Sequence, residues 1–357
     1  MSKALGYFRR LAAQTPTRFW INNPTFAEAV RAIGAGAVGC TCNPSYCQKI
    51  LDHPDKAKLP WQLLDEAVAE SRDDSEAEVI LQRKLARPVV DLFRTLHDRN
   101  PLQDGFVTLQ GDPTREHSPD AIVDEAIGNH ALGRNVSAKI PVTKAGLAAI
   151  ERLVAENIPI TGTEVFAVSQ VAALSEAYER AARASGRSPV IFVAHIAGIY
   201  DDYLKAYVEA HHVDISPDVL WQAGMAVTRK IYALMSERGY RPTLVCGGAR
   251  GLHHFTEMVG GNLAVTINWL GTADKLLELD PPVVARLFNP VSARVIDELL
   301  EKLPDFRRGY LDDGLAVDEF HSFGPVELFR GSFVKNWRRV LALIKEHRDR
   351  AHTPAPA

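Results

Sequence analysis

The chain has 357 residues, with 41 Lys and Arg against 44 Asp and Glu, a net charge of −3, 46% hydrophobic and 24% charged residues. That balance supplies no basic footprint for nucleic acid and no polybasic patch for a membrane, and it suits a globular chain with a large core. The four cysteines, Cys40, Cys42, Cys47 and Cys246, read as free thiols: "CTCNPSYC" (40–47) has neither a C-x-x-C pair nor a suitably spaced histidine, so no metal site is expected.

In chain order, "MSKALGYFRRLAAQTPTRFW" lacks the apolar centre of a signal peptide, and residues 1–14 read as a lead-in helix. No run of about 18 apolar residues follows, so no membrane span and a cytoplasmic location are expected. Short apolar runs come next: "RFWIN" (18–22), "AVGCTCN" (37–43), "GFVTLQ" (105–110) and "NVSAKI" (135–140). They continue with "NIPITGT" (157–163), "PVIFVAH" (189–195), "PTLVCG" (242–247) and "LAVTIN" (263–268). Between them lie helical patterns such as "KAGLAAIERLVAE" (144–156) and "SQVAALSEAYERAARA" (169–184), apolar at i, i+3 and i+4.

Strands alternating with helices point to a parallel sheet covered on both faces, the α/β class. Eight such units in about 250 residues fit a (β/α)8 TIM barrel. A doubly wound open sheet is the alternative, though no G-x-G-x-x-G follows the first strand. Three parts fall outside the repeat: the lead-in helix, a polar helix-rich insertion over 48–104, and a proline-broken helical extension ending in "FVKNWRRVLALIKEHRDR" (333–350). The expected organisation is one domain, with the barrel over about 18–275, the extension over 276–350 and "AHTPAPA" (351–357) as a disordered tail.

Active sites of such barrels lie at the C-terminal strand ends. The residues there are Asn22, Asn43, Gln110, Lys139, Thr163, Ala194, His195 and Arg250. Lys139 sits in an otherwise apolar strand, where an amine is out of place. By strand parity Ser137 and Lys139 share one face and Ala138 and Ile140 the other. If the polar pair faces the barrel axis, a poorly solvated amine loses its proton more easily and can attack a carbonyl to form a Schiff base. The alternative is an exposed lysine whose stem packs on apolar surface. Parity alone does not choose between them.

Several stretches resemble the transaldolase family of class I aldolases, and a longer transaldolase-like branch of it. "GAVGCTCNPS" (36–45) resembles the second-strand T-x-N-P-S signature, and "SAKIPVTKAG" (137–146) with the strand ending at Thr163 resembles the Schiff-base lysine segment. "PTLVCGGARG" and "NLAVTINW" (262–269) resemble the last two strands. The resemblance covers about 18–270. It implies that Lys139 is the Schiff-base lysine, that Asn43, with Ser45 of the same motif, holds a substrate hydroxyl, and that Thr163 positions a catalytic water. It also places Gln110 where the family has a glutamate or glutamine, and Arg250 where an arginine grips the substrate phosphate. It implies a transferase or aldolase of carbohydrate metabolism, of the pentose phosphate type, needing no cofactor and taking a small sugar or sugar phosphate. A homo-oligomer is compatible with the long C-terminal helix.

Two departures stand out. Asn22 replaces the acid/base aspartate of the first strand, and an amide neither takes up nor releases a proton near neutral pH. Ala194 and Ile199 stand where the family has a serine and a second phosphate-binding arginine, which leaves half of the phosphate clamp. His195 and Tyr200 are nearby substitutes for the proton, although parity turns His195 away if Ala194 faces in. Asp201–Asp202 suit a helix start, the His211–His212 and His253–His254 pairs read as solvated or capping groups, and Gly260–Gly261 read as a phosphate approach or a tight turn. The reading is a lysine Schiff-base transaldolase or aldolase with an altered phosphate site. Its alternatives are a Schiff-base lyase or isomerase on a non-sugar carbonyl compound, and a barrel kept for binding alone.

Overall fold

The computed structural model describes residues 5–53 and 58–352. Eight strands alternate with helices and close into a parallel barrel: β1 (Arg18–Asn22), β2 (Gly39–Cys42), β3 (Val107–Gln110), β4 (Val136–Pro141), β5 (Ile160–Val165), β6 (Ile191–His195), β7 (Thr243–Cys246) and β8 (Ala264–Ile267). Closure is made by β1 pairing with β8, Phe19 beside Val265, which excludes the open doubly wound sheet. The apolar runs predicted all eight strands, most to within two or three residues. The main difference is β5, which continues past Thr163 to Val165 with a register irregularity between Gly162 and Val165.

Helix α1 (Tyr7–Gln14) precedes β1, and α2 (Phe26–Ala35) follows it. Thr25 and Glu28 start α2 with a reciprocal capping box. The insertion forms α3 (Tyr46–Leu51), α4 (Lys58–Glu70) and α5 (Asp74–Arg99). The barrel then continues through α6 (Pro119–His130), α7 (Lys144–Ala155), α8 (Val168–Ser185), α9 (Ala197–His211), α10 (Pro217–Leu220), α11 (Ala223–Arg238) and α12 (His253–Thr256). Beyond it come α13 (Asp274–Leu279), α14 (Ala293–Lys302), α15 (Pro304–Tyr310) and the 29-residue α16 (Gly324–His352). Since α16 runs to His352, the expected tail cannot begin at residue 351; residues 353–357, like residues 1–4 of the lead-in segment, lie outside the described residues.

Toward the N-terminal end the barrel is filled by Trp20, Phe106 and Phe192, edge to face at 5.0 Å (Trp20–Phe192) and 5.2 Å (Phe106–Phe192). Burying each such ring stabilises the fold by roughly 2–3 kcal/mol. Gly39 is what admits the indole, because a Cβ there would meet the Trp20 ring at 2.2 Å. Above this plug the interior turns polar: Ser137 and Thr161 share a 2.8 Å hydrogen bond, as do Thr41 and Thr266. α16 crosses the opposite end of the barrel, packing on α3, α4, α5, α9 and β5. All four cysteines are buried and free, and among the described residues no helix is long and apolar enough to cross a membrane.

Candidate active site

β4 delivers Lys139 to the C-terminal end of the barrel. Thr143 caps α7 by accepting from the Gly146 N–H at 3.1 Å. A Cβ on Gly146 would meet the Pro141 carbonyl oxygen at 1.8 Å, so only glycine lets the helix start this close to the strand. Lys139 itself is 7% exposed. Its Nζ donates to Gln110 Oε1 at 3.1 Å and lies 5.8 Å from the centre of the Phe333 ring on α16. Burial lowers the amine from 10.5 to about 8, with the Glu164 carboxylate and Cys42 opposing. The exposed-lysine alternative is thereby excluded.

Gln110, on β3 directly beside Lys139, bonds in two directions. Its carbonyl oxygen accepts from Lys139, and its Nε2 donates to Glu164 Oε1 at 2.9 Å. Glu164 is fully buried, and desolvation raises its carboxyl to about 7 despite Gln110, Lys139 and Arg330. Its backbone sits at φ +58° within the β5 irregularity. In a regular strand the residue after Thr163 would turn to the helix layer; the irregularity instead aims Glu164 at Gln110. Close by, Glu116 is 3.6 Å from Arg330 of α16, and desolvation together with Glu164 raises Glu116 to about 9. Thr163 Oγ1 is buried without a protein partner.

A cavity of about 190 Å³ lies between the strand ends and α16. One side is polar: Asn22, Thr41, Asn43, Ser45, Thr266 and Asn268. The other is apolar, formed by Ala194, Ile196, Ile199, Phe329 and Phe333, and Lys139 lines the same space. Asn22 is committed at both ends of its amide, accepting from Thr41 Oγ1 at 2.8 Å and donating to Asn268 Oδ1 at 3.0 Å. Asn43 Oδ1 accepts from Asn23 Nδ2 at 2.8 Å and from the Ser45 N–H at 3.0 Å. Ser45 Oγ accepts from Asn336 Nδ2 of α16 at 2.7 Å, which ties the second-strand motif to the C-terminal helix. Arg250 reaches the rim, where it donates to Asp202 Oδ2 at 2.5 Å and to the Gly248 carbonyl at 3.2 Å. Lys139, Asn22, Asn43, Ser45, Ala194, Ile199 and Arg250 therefore share one cavity, Gln110 is joined to it through Lys139, and Thr163 is buried on β5 beside Pro141 of β4, outside the cavity lining.

The structure decides the other sequence expectations: His195 turned from the site and a turn at Gly260–Gly261 hold, and those for Tyr200, Asp201–Asp202 and His254 do not. Tyr200 is buried away from the cavity and donates to the Asp305 carbonyl at 2.8 Å. His195 is bonded to Thr228 of α11 at 2.9 Å, and burial lowers it to about 3, so it is a neutral packing group. Asp201 and Asp202 lie inside α9 rather than at its start, because α9 begins at Ala197. Asp201 accepts from the Gly224 N–H at 2.7 Å and pairs with His254 at 2.9 Å, so His254 is neither solvated nor a cap. Asp201, His253 and His254 come within metal-ligand reach of one another. His254 Nδ1 accepts from the Arg250 N–H, which leaves Nε2–H to donate to Asp201 and satisfies the group as it stands. Gly260 and Gly261 precede β8, at the end of the barrel away from the cavity, and bond to Thr17 in a turn.

Glu164, Glu116, Arg330, Phe333 and Asn336 escaped sequence reasoning. For Glu164 the signal was present: a charged residue in the apolar run of β5, the same anomaly that marks Lys139. For the α16 residues no local signal exists.

The family described as transaldolase/fructose-6-phosphate aldolase matches residues 19–283. A transaldolase of Saccharopolyspora erythraea is 24% identical over 370 residues, covering 93% of both chains. A transaldolase of Parafrankia sp. is 31% identical over 194 residues, 53% of this chain and 51% of that protein. "Transaldolase 2" of Streptomyces avermitilis is 31% identical over 143 residues, 40% of this chain and 38% of that protein.

Proposed function

Because the chain belongs to the transaldolase/fructose-6-phosphate aldolase family, we propose that it is a Schiff-base transaldolase or aldolase in which Lys139 bonds covalently to a ketose or related carbonyl compound. The observation that carries this is a lysine amine buried in the strand-end cavity and lowered to about 8. A neutral amine attacks the C2 carbonyl, the carbinolamine loses water, and the resulting iminium accepts the electron pair of the C3–C4 bond as it breaks. The C4 hydroxyl loses its proton, an aldehyde leaves, and the remaining enamine adds to an acceptor aldehyde or takes a proton and is hydrolysed. Asn43 spends its carbonyl oxygen on Asn23 and Ser45, which leaves its Nδ2 hydrogens for a substrate hydroxyl. Thr163, with no protein partner on Oγ1, suits the water of the dehydration and hydrolysis steps.

The substrate best suited to this cavity carries no phosphate. Arg250 is already paired with Asp202, and Ala194 and Ile199 offer an anion nothing. Unphosphorylated fructose or dihydroxyacetone is expected to be handled at least as well as fructose 6-phosphate. Ile199→Arg should lower KM for the phosphorylated sugar about tenfold or more, read from initial rates on both. Reduction with borohydride in the presence of dihydroxyacetone or fructose should leave a mass adduct on Lys139. No adduct with any ketose, phosphorylated or not, would overturn the reading.

A further inference from the structure

Lys139 needs two things that Asn22 and Gln110 cannot supply: a counter-charge and a fixed neighbour. The chain provides both from a residue the family resemblance did not point to. We propose that Glu164 is the positioning residue of the site, setting the charge state of Lys139 and aiming the Gln110 carbonyl oxygen at the amine. The proposal rests on the Schiff-base reading and adds to it.

An amide can present either its oxygen or its nitrogen, and nothing on Lys139 alone decides which. Above about 7 Glu164 is a carboxylate and can only accept, so its Oε1 on Gln110 Nε2 at 2.9 Å directs Gln110 Oε1 toward Lys139, where it receives the ammonium at 3.1 Å. The backbone is distorted to achieve this. A glutamate at φ +58° occupies the strained left-handed region, and the register shift in β5 turns inward a side chain that regular pleating would turn out. Such strain persists where the surroundings hold it, and here it brings a carboxyl to a site whose first strand ends in Asn22 and whose third ends in Gln110.

The charges around Glu164 come from every side. β4 contributes Lys139, the loop after β3 contributes Glu116, and α16 contributes Arg330. β3 contributes the neutral Gln110, β6 the neutral His195, which is turned to Thr228, and α8 contributes Gln170, which bonds the Glu164 backbone carbonyl. Lys139 also faces Cys42 of β2. Desolvation strips the amine of its proton, and Glu164 is the first opposing influence. Without that carboxylate, Lys139 is neutral at lower pH.

The test is imine trapping with dihydroxyacetone and cyanoborohydride, followed by intact mass from pH 7.5 to pH 9.5, above the range in which Glu164 takes up a proton. In wild type the trapping rate follows the neutral amine, which grows about fourfold across that range when the midpoint is near 8. E164Q keeps the shape and an acceptor for Gln110 but removes the charge that Glu164 carries above about 7, so its rate at pH 7.5 rises relative to pH 9.5 and the pH 9.5 to pH 7.5 ratio falls from the wild-type value toward one. Comparing the two proteins at each pH cancels the reductant's own pH dependence. A merely structural role would lower the rate by one factor at every pH, and an unchanged ratio would overturn the proposal. Where E164Q does not fold, Glu164→Asn removes the same charge with a residue that tolerates positive φ and gives the same change of ratio. Wild type that traps nothing at any pH defeats the Schiff-base reading itself. Wild type that traps normally beside an unchanged E164Q ratio defeats only the role of Glu164.

Discussion

Lys139→Met is expected to abolish ketose trapping and to raise the melting temperature at pH 7. The first effect is chemical: methionine fills similar space but offers no nitrogen, so the covalent intermediate cannot form and turnover falls at least a thousandfold, within the range ascribed to removing a nucleophile. The second effect follows from the cost of holding the amine. Its value moves from 10.5 to about 8 in the folded protein, which corresponds to about 3 kcal/mol of penalty on the charged form. Losing the bond to Gln110 returns about 1 kcal/mol of that. Glu164, without its counter-ion, takes up a proton more readily and returns a little more. A net gain of about 1–2 kcal/mol, or a few degrees, remains. The sign has a pH signature. Below about 8 the lysine is charged in both folded and unfolded chains and the penalty is full; above 10.5 it is neutral in both and the penalty is gone. The stability difference between variant and wild type therefore shrinks as pH rises from 7 to 10, measured by denaturant titration. A variant no more stable than wild type at pH 7 would mean that Lys139 is better solvated than its burial indicates. A stabilised variant without activity is the pattern expected where function is held against stability.

What could be read from the sequence divides along a physical line. Strand and helix positions depend on local periodicity, and parity alone puts Ser137 and Lys139 on one face without saying which way that face points. The structure adds the 2.8 Å bond between Ser137 and Thr161 that makes this face the barrel interior. Glu164 breaks the same parity rule: its charge within "TGTEVF" marks it as out of place, but the irregularity in β5 that reverses its direction has no mark in the sequence. Asp201 and His254 illegibly sit 53 residues apart in sequence and 2.9 Å apart in space, so neither could be recognised as half of a pair. The roof of the cavity is the least legible part. Phe329, Ser332 and Phe333 belong to an amphipathic helix whose periodicity says only that one face is covered, not that the barrel mouth covers it. Arg250 shows the converse limit: its position by the rim was readable, but its partner Asp202, which blunts it as an anion site, was not.

Asn22→Asp should accelerate carbon–carbon bond formation between dihydroxyacetone and glyceraldehyde by about 10²–10⁴-fold, the usual worth of a well-placed acid/base group. Asn22 now acts as a spacer. Thr41 donates to its Oδ1 and its Nδ2 reaches Asn268 Oδ1, so the amide is satisfied but cannot exchange a proton with a substrate hydroxyl. Aspartate keeps the bond from Thr41. Its second oxygen would face Asn268 Oδ1 as that side chain now lies, a contact relieved by turning the Asn268 amide, which is exposed and makes no other side-chain bond among the described residues. The exchange thus costs little in the fold while placing a carboxylate in the cavity that Lys139 lines. Imine trapping separates the steps. If Asn22 limits only the proton movement at C–C bond making and breaking, the trapping rate with dihydroxyacetone alone stays within about twofold of wild type while turnover rises. Unchanged turnover in a folded variant that still traps dihydroxyacetone would show that the proton already has another carrier, or that the natural reaction never moves one at this hydroxyl. A lyase or isomerase acting on the imine would then replace aldol transfer, because those reactions draw on the same Lys139 without asking for a base on β1.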